Sequence, residues 1–169
     1  MPGTQPPAGR LEQASLWINR GLAVVASVAL ATMMGFTAFD VVMRALGRPV
    51  AGSVEIIGWL AAVAMALALG DVQVHRGHVA MTLLSERLSS RPAALLEAVN
   101  SLVALLLFGT AAYFILRYGA TLQDTGSLSE TLKVVVYPWV YAVALGFAGL
   151  ALALAIDLLR SLQRLAGAA

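Results

Sequence analysis

Four stretches of this chain contain no Asp, Glu, Lys or Arg: residues 21–39, 56–70, 98–116 and 134–156. About 20 apolar residues, each rising 1.5 Å, cross the hydrocarbon core of a bilayer, and a helix does so with its backbone groups satisfied internally. The pattern predicts an all-α integral membrane protein with four transmembrane helices. Polar punctuation sets the ends of the spans. Gly47, Arg48 and Pro49 stop the first. Ser53 is placed to cap the second, with Glu55 in its first turn, where the helix dipole favours an anion. Arg91 and Pro92 open the third, and Pro138 suits the first turn of the fourth. The spans so read cover about 17–44, 53–74, 92–118 and 138–159.

The remaining segments are short. Residues 1–10, rich in Pro and Gly, read as a disordered leader, 11–165 as one four-helix membrane domain, and 166–169 as a C-terminal tail. Between the second and third spans, Val79, Leu83, Leu84 and Leu88 share one helical side, the pattern of a short amphipathic interfacial helix, with a plain polar loop as the alternative. Arg10 and Arg20 precede an apolar run containing Ala29-Leu30-Ala31, which imitates a signal-peptidase site. The run continues to Phe39, beyond the length of a signal core, and is read as a retained first helix.

Composition narrows the class. The chain is 60% hydrophobic and 12% charged, against about 25% charged in soluble domains. Its net charge of +2 comes from basic residues flanking apolar spans, which suits lipid headgroups and calls for no nucleic acid. Without cysteine there is no disulfide, Cys-ligated zinc or iron–sulfur cluster. Arg10, Arg20, Arg76, Arg87, Arg91, Arg160 and Arg164 fall on one side of the bundle, and Arg44, Arg48, Arg117 and Lys133 on the other. The positive-inside rule therefore places both termini in the cytoplasm.

Chemistry at depth would need polar groups, and the spans hold few. The first offers Ser27, Thr32 and Thr37, the third Asn100, Ser101 and Thr110; such hydroxyls ordinarily bond the carbonyl four residues back. Small residues are more telling. Ala23, Ser27, Ala31 and Gly35 recur every four residues in the first span, and Gly58, Ala62, Ala66 and Gly70 in the second; Ala142 and Gly146 extend the theme in the fourth. Ladders of this kind let helix backbones approach closely in lipid. Asp40 and Arg44, one turn apart, stand near Glu55 across a short turn. They are either separately solvated charges at helix ends or an ion network that fixes a helix angle or presents a docking point. Trp17, Tyr137, Pro138 and Trp139 are placed as interfacial anchors. His75 and His78 lack the further ligands of a metal or haem site and read as a surface pair. No catalytic, cofactor-binding or metal residue is assigned, and the chain does not read as an enzyme.

The run Asp40-Val41-Val42-Met43-Arg44-Ala45-Leu46-Gly47-Arg48-Pro49, then Glu55, then Gly70 to Arg76-Gly77-His78-Val79, resembles the DctQ-like small membrane subunit of tripartite ATP-independent periplasmic transporters. Gly126-Ser127, Tyr137-Pro138-Trp139 and Gly146-Phe147 continue the resemblance, which covers nearly all of 11–165. It implies a scaffold subunit in the bacterial inner membrane, paired with a large multi-span permease subunit that moves the substrate. It also implies a periplasmic substrate-binding protein that delivers an organic acid, and sodium coupling in the large subunit, with no cofactor in this chain. Two other readings stay open from the residues alone: a self-sufficient small dimeric transporter, and a haem-bearing membrane anchor of a respiratory complex.

Overall fold

The computed structural model describes residues 10–76 and 90–167, and the side chains of 13–74 and 95–165. It consists of four helices: α1 (Arg10–Ala45), α2 (Ser53–Arg76), α3 (Ser90–Asp124) and α4 (Tyr137–Gly167). Each contains a segment long and apolar enough to cross a membrane: Gln13–Ala45, Ser53–Val74, Leu95–Asp124 and Tyr137–Leu165. The leader before Arg10, the amphipathic stretch 79–88 and His78 lie outside the described residues.

The helices run past the ends that hydropathy sets, because a charge-free run marks only the hydrocarbon while the helix continues through the headgroups. The 22-residue span of α2 is about 33 Å long, close to the bilayer core of ~30 Å; the 33-residue span of α1 reaches about 50 Å. The seven-residue turn 46–52 keeps the C-terminus of α1 level with the N-terminus of α2. Glu55, at the start of α2, in turn holds the 125–136 connection between α3 and α4. The surplus length of α1, α3 and α4 therefore projects at the opposite end, the end carrying the chain termini.

Two helix stops use the same device. Gly47 (φ 72°) follows α1, with the Arg48 N–H donating to the Met43 carbonyl at 2.9 Å. Gly126 (φ 61°) follows α3, with the Ser127 N–H donating to the Leu122 carbonyl at 3.1 Å. Both place a glycine in the left-handed conformation that lets the chain turn back over orphaned carbonyls. Ser53, expected to cap α2, has another partner: the first carbonyl taken up by the helix is that of Gly52, and the Ser53 hydroxyl accepts from Arg44.

Laterally the helices lie in the order α1, α2, α4, α3. α2 and α4 form the inner pair, α1 packs mainly on α2 and lightly on α4, and α3 packs on α4. The apolar centre is Ala26 of α1 with Val63 and Leu67 of α2, flanked by Trp139, Ala142 and Val143 of α4. At Gly146 the α4 backbone passes so close to Ala66 that a Cβ would strike the Ala66 carbonyl group. Trp59 stacks on Trp139 at 5.5 Å across the same pair, and Phe108 meets Phe147 at 6.1 Å between α3 and α4.

The small-residue ladders turn out to be only partly internal. Ala66 and Gly70 are buried, whereas Gly58 and Ala62 are exposed; on α1, Ala23 is half-buried and Ser27, Ala31 and Gly35 are exposed. The reason is geometric. At 100° per residue a strict four-residue repeat advances 40° per rung, so four rungs sweep about 120° around the helix. One end of each ladder meets a neighbour and the other faces away. The side of α1 that does face the bundle follows an alternating spacing of four and three: Ser15, Asn19, Leu22, Ala26, Ala29, Met33, Phe36 and Asp40, each buried or half-buried. That is the 3.5-residue period of a helix seam.

Candidate functional site

Polar side chains gather at the two ends of the bundle, where they tie one helix to another. At the end opposite the termini, Asp40 is buried on the seam face of α1. Arg44, one turn on, donates Nε to Asp40 Oδ2 at 2.7 Å and Nη2 to Ser53 Oγ at 3.0 Å, so the pair spans the α1–α2 corner. Glu55 does not complete this network. Its carboxylate accepts the backbone N–H of Thr131 at 2.7 Å and of Leu132 at 3.2 Å, clamping two successive amides of the α3–α4 connection. Of the two readings of these charges, separate solvation or one three-residue network, the geometry lies between: two adjacent contacts, because the connection presents backbone amides directly over the first turn of α2. Leu132 also sits against Gly52, where a Cβ would collide with it. The connection is drawn in further by a bridge between Leu128 and Val135 and by the Ser129 N–H on the Val134 carbonyl at 2.9 Å. Tyr141 Oη donates to Gln123 Oε1 at 2.9 Å, joining α4 to α3 at the same level.

At the terminal end the ties involve residues with no distinctive sequence motif. Gln73 of α2 donates to Asp157 of α4 at 3.1 Å, and Arg164 of α4 pairs with Glu97 of α3 at 3.0 Å. Asn19 of α1 is fully buried against Gly70 of α2 and Gly149 of α4. Asn19 and Asp157 were not singled out from sequence. The signal was present in the alternating spacing, which puts Asn19 and Asp40 on one stripe.

Other expected positions separate. Trp17 is 74% exposed near the terminal end. Tyr137 meets Tyr141 edge-on at 6.1 Å, and Pro138 is exposed. Trp139, expected as an anchor beside them, is half-buried in its stack on Trp59. The side chain of His75 lies outside the described residues. Mid-span hydroxyls bond their own helix: Ser27, Thr32 and Thr37 donate to Ala23, Val28 and Met33 carbonyls at 2.7–2.9 Å. Between α1 and α2 an open groove of about 500 Å³ is lined by Ala23, Ser27 and Leu30 on one side and Ala61, Met65 and Asp71 on the other. Among the described residues, no three His, Asp or Glu side chains converge as a metal site would require.

The arrangement can hold helices at fixed heights: Arg44, Glu55, Asp157 and the Glu97–Arg164 pair each tie one element to another, through a side chain or through backbone. A family model for the DctQ component of tripartite ATP-independent periplasmic transporters matches residues 33–164. No curated protein and no solved structure matches the chain.

Proposed function

Because the chain belongs to the DctQ component family of tripartite ATP-independent periplasmic transporters, we propose that it is the fixed scaffold subunit of a secondary transporter. In this reading a large multi-span permease subunit moves an organic acid handed over by a periplasmic binding protein, with sodium coupling in the large subunit. The complex sits in the bacterial inner membrane with both termini of this chain cytoplasmic.

The observation that carries the reading is the cross-tying of both bundle ends. Glu55 joins α2 to the α3–α4 connection, and Arg44 joins α1 to α2. Gln73–Asp157 and Glu97–Arg164 join the helices at the other end. A subunit that carried solute by moving its own helices would have to break such ties each cycle, whereas a support gains from them. The apolar faces of α1 and α3, left uncovered by this chain, give a mobile partner or lipid a surface to lie against.

The test is reconstitution. Proteoliposomes holding this chain alone should show no sodium-driven uptake of organic acids, and adding the large subunit and the binding protein should restore it. Uptake by this chain alone would overturn the proposal in favour of a self-sufficient transporter.

A further inference from the structure

Asn19 is in an unusual position for an amide. Its residue is 0% exposed, in the middle of the contact between α1 and the α2–α4 pair. Nδ2 donates to the Ser15 carbonyl at 3.0 Å and to Ser15 Oγ at 3.2 Å, both within α1. Oδ1 accepts from no N–H or O–H among the described residues. It rests instead on the backbone of two glycines from two different helices, since a Cβ at either Gly70 or Gly149 would run into the amide. A buried acceptor without a donor costs free energy, and an Ala or Leu on this seam would avoid the cost. Packing stability alone therefore does not account for the amide.

What an amide supplies is dependence on position. Between Asn19 and Asp40 the α1 seam is Leu22, Ala26, Ala29, Met33 and Phe36, a run of apolar knobs with no polar group to mark position. The Asp40–Arg44–Ser53 corner sets the height of α1 at its far end, which leaves Asn19 to set it at the terminal end. One turn from the slot, three or four residues away, α2 offers Ala66, Leu67, Gln73 or Val74, so its half of the glycine gap is lost even where α4 presents Gly146. Single buried polar residues fix register in this way in helix seams. We propose that Asn19 is the register pin of the bundle: the amide, seated in a slot that requires glycine at both Gly70 and Gly149, holds α1 at one height against α2 and α4. This conclusion stands whether or not the transporter reading holds.

The chain has no cysteine, so engineered pairs report register in the full-length protein within its membrane. Ala26→Cys is combined in turn with Leu60→Cys, Val63→Cys and Leu67→Cys, and disulfide yields are compared. With Asn19 present, one α2 position should dominate. Asn19→Ala should flatten the preference by about fivefold, the low end of what misplacing a buried polar group costs. Gly70→Ala should lower the thermal midpoint in detergent, and adding Asn19→Ala should relieve part of that loss, because the new methyl then meets no amide and keeps only its 3.2 Å approach to the Gly149 backbone. The proposal is overturned if Asn19→Ala leaves the cross-linking preference unchanged, or if Gly70→Ala is equally harmful with and without Asn19. Should Gly70→Ala not fold, the Asn19→Ala cross-linking pattern decides alone.

Discussion

The inner pair and the outer helices of this bundle differ in how much of their length the bundle covers. Over their most apolar windows α2 and α4 are each 33% buried, whereas α1 is 6% and α3 is 11% buried. Lipid tails are as apolar as leucine, so apolar surface alone does not drive helices together in a membrane. The inner pair coheres through close backbone approach at Gly146 and Ala66 and through the Trp59–Trp139 stack. The outer helices keep mid-span contacts on one side, Ala26 at the apolar centre for α1 and Phe108 on Phe147 for α3. They add polar or close contacts nearer their ends: Arg44 and Asn19 for α1, Glu97 and Gln123 for α3. Their middles are left open on one side, which suits a subunit whose remaining surface is completed by another chain or by lipid.

The sharpest way to break this comparison is to put a methyl group where backbones meet and where they do not. Gly146→Ala drives a Cβ into the Ala66 carbonyl group, and main-chain atoms cannot escape by changing rotamer. Its cost should fall at the upper end of the ~1–3 kcal/mol typical of overpacking, read as a lowered thermal midpoint in detergent. Gly58→Ala meets nothing within 4 Å and is the matched control. Equal losses in the two variants would erase the distinction between inner and outer surfaces.

A smaller and more local effect is expected from Glu55→Ala, which removes both acceptors of the Thr131 and Leu132 amides. Hydrogen exchange at those two amides should accelerate while the protected centre of α2 is unchanged. If exchange at Thr131 and Leu132 stays slow, the carboxylate clamp is not what orders the connection. Arg44→Ala comes next, since its side chain is half exposed. It should loosen the α1–α2 corner, impairing recovery of the assembled complex more than the melting of the isolated chain; unaffected recovery would count against a role for this corner in docking.

Gly35→Ala should have the least effect. Nothing lies within 4 Å of a Cβ there, and alanine exceeds glycine in helix propensity by about 1 kcal/mol, so the isolated chain should be unharmed or slightly more stable. A loss of partner binding with unchanged melting would place the partner on that face of α1.

Much of the fold was legible because charge-free length reports on the bilayer directly: the four runs each became one helix, and Gly47 ended the first of them. The ends of the helices were less legible, since Gln13 and Asp157 are compatible with helix but not with hydrocarbon. The ladders misled in part because a four-residue spacing looks like one face on paper and rotates away from it in three dimensions. The alternating spacing from Ser15 to Asp40 was the better guide. Glu55 was recognised as an acid at a helix start, but its partners are backbone amides some 76 residues away, and backbone amides leave no mark in a side-chain pattern. Asn19 was missed because its partners are two glycines, distinctive only once α2 and α4 bring them together.

The most direct test of the scaffold reading is to purify this chain, tagged, from its native membrane in mild detergent and to measure the mass and composition of what comes with it. The expected result is a one-to-one complex with a larger multi-span membrane protein, lost or weakened in Arg44→Ala. Recovery only as a monomer, or only with further copies of itself, would contradict a supporting role in a larger transporter.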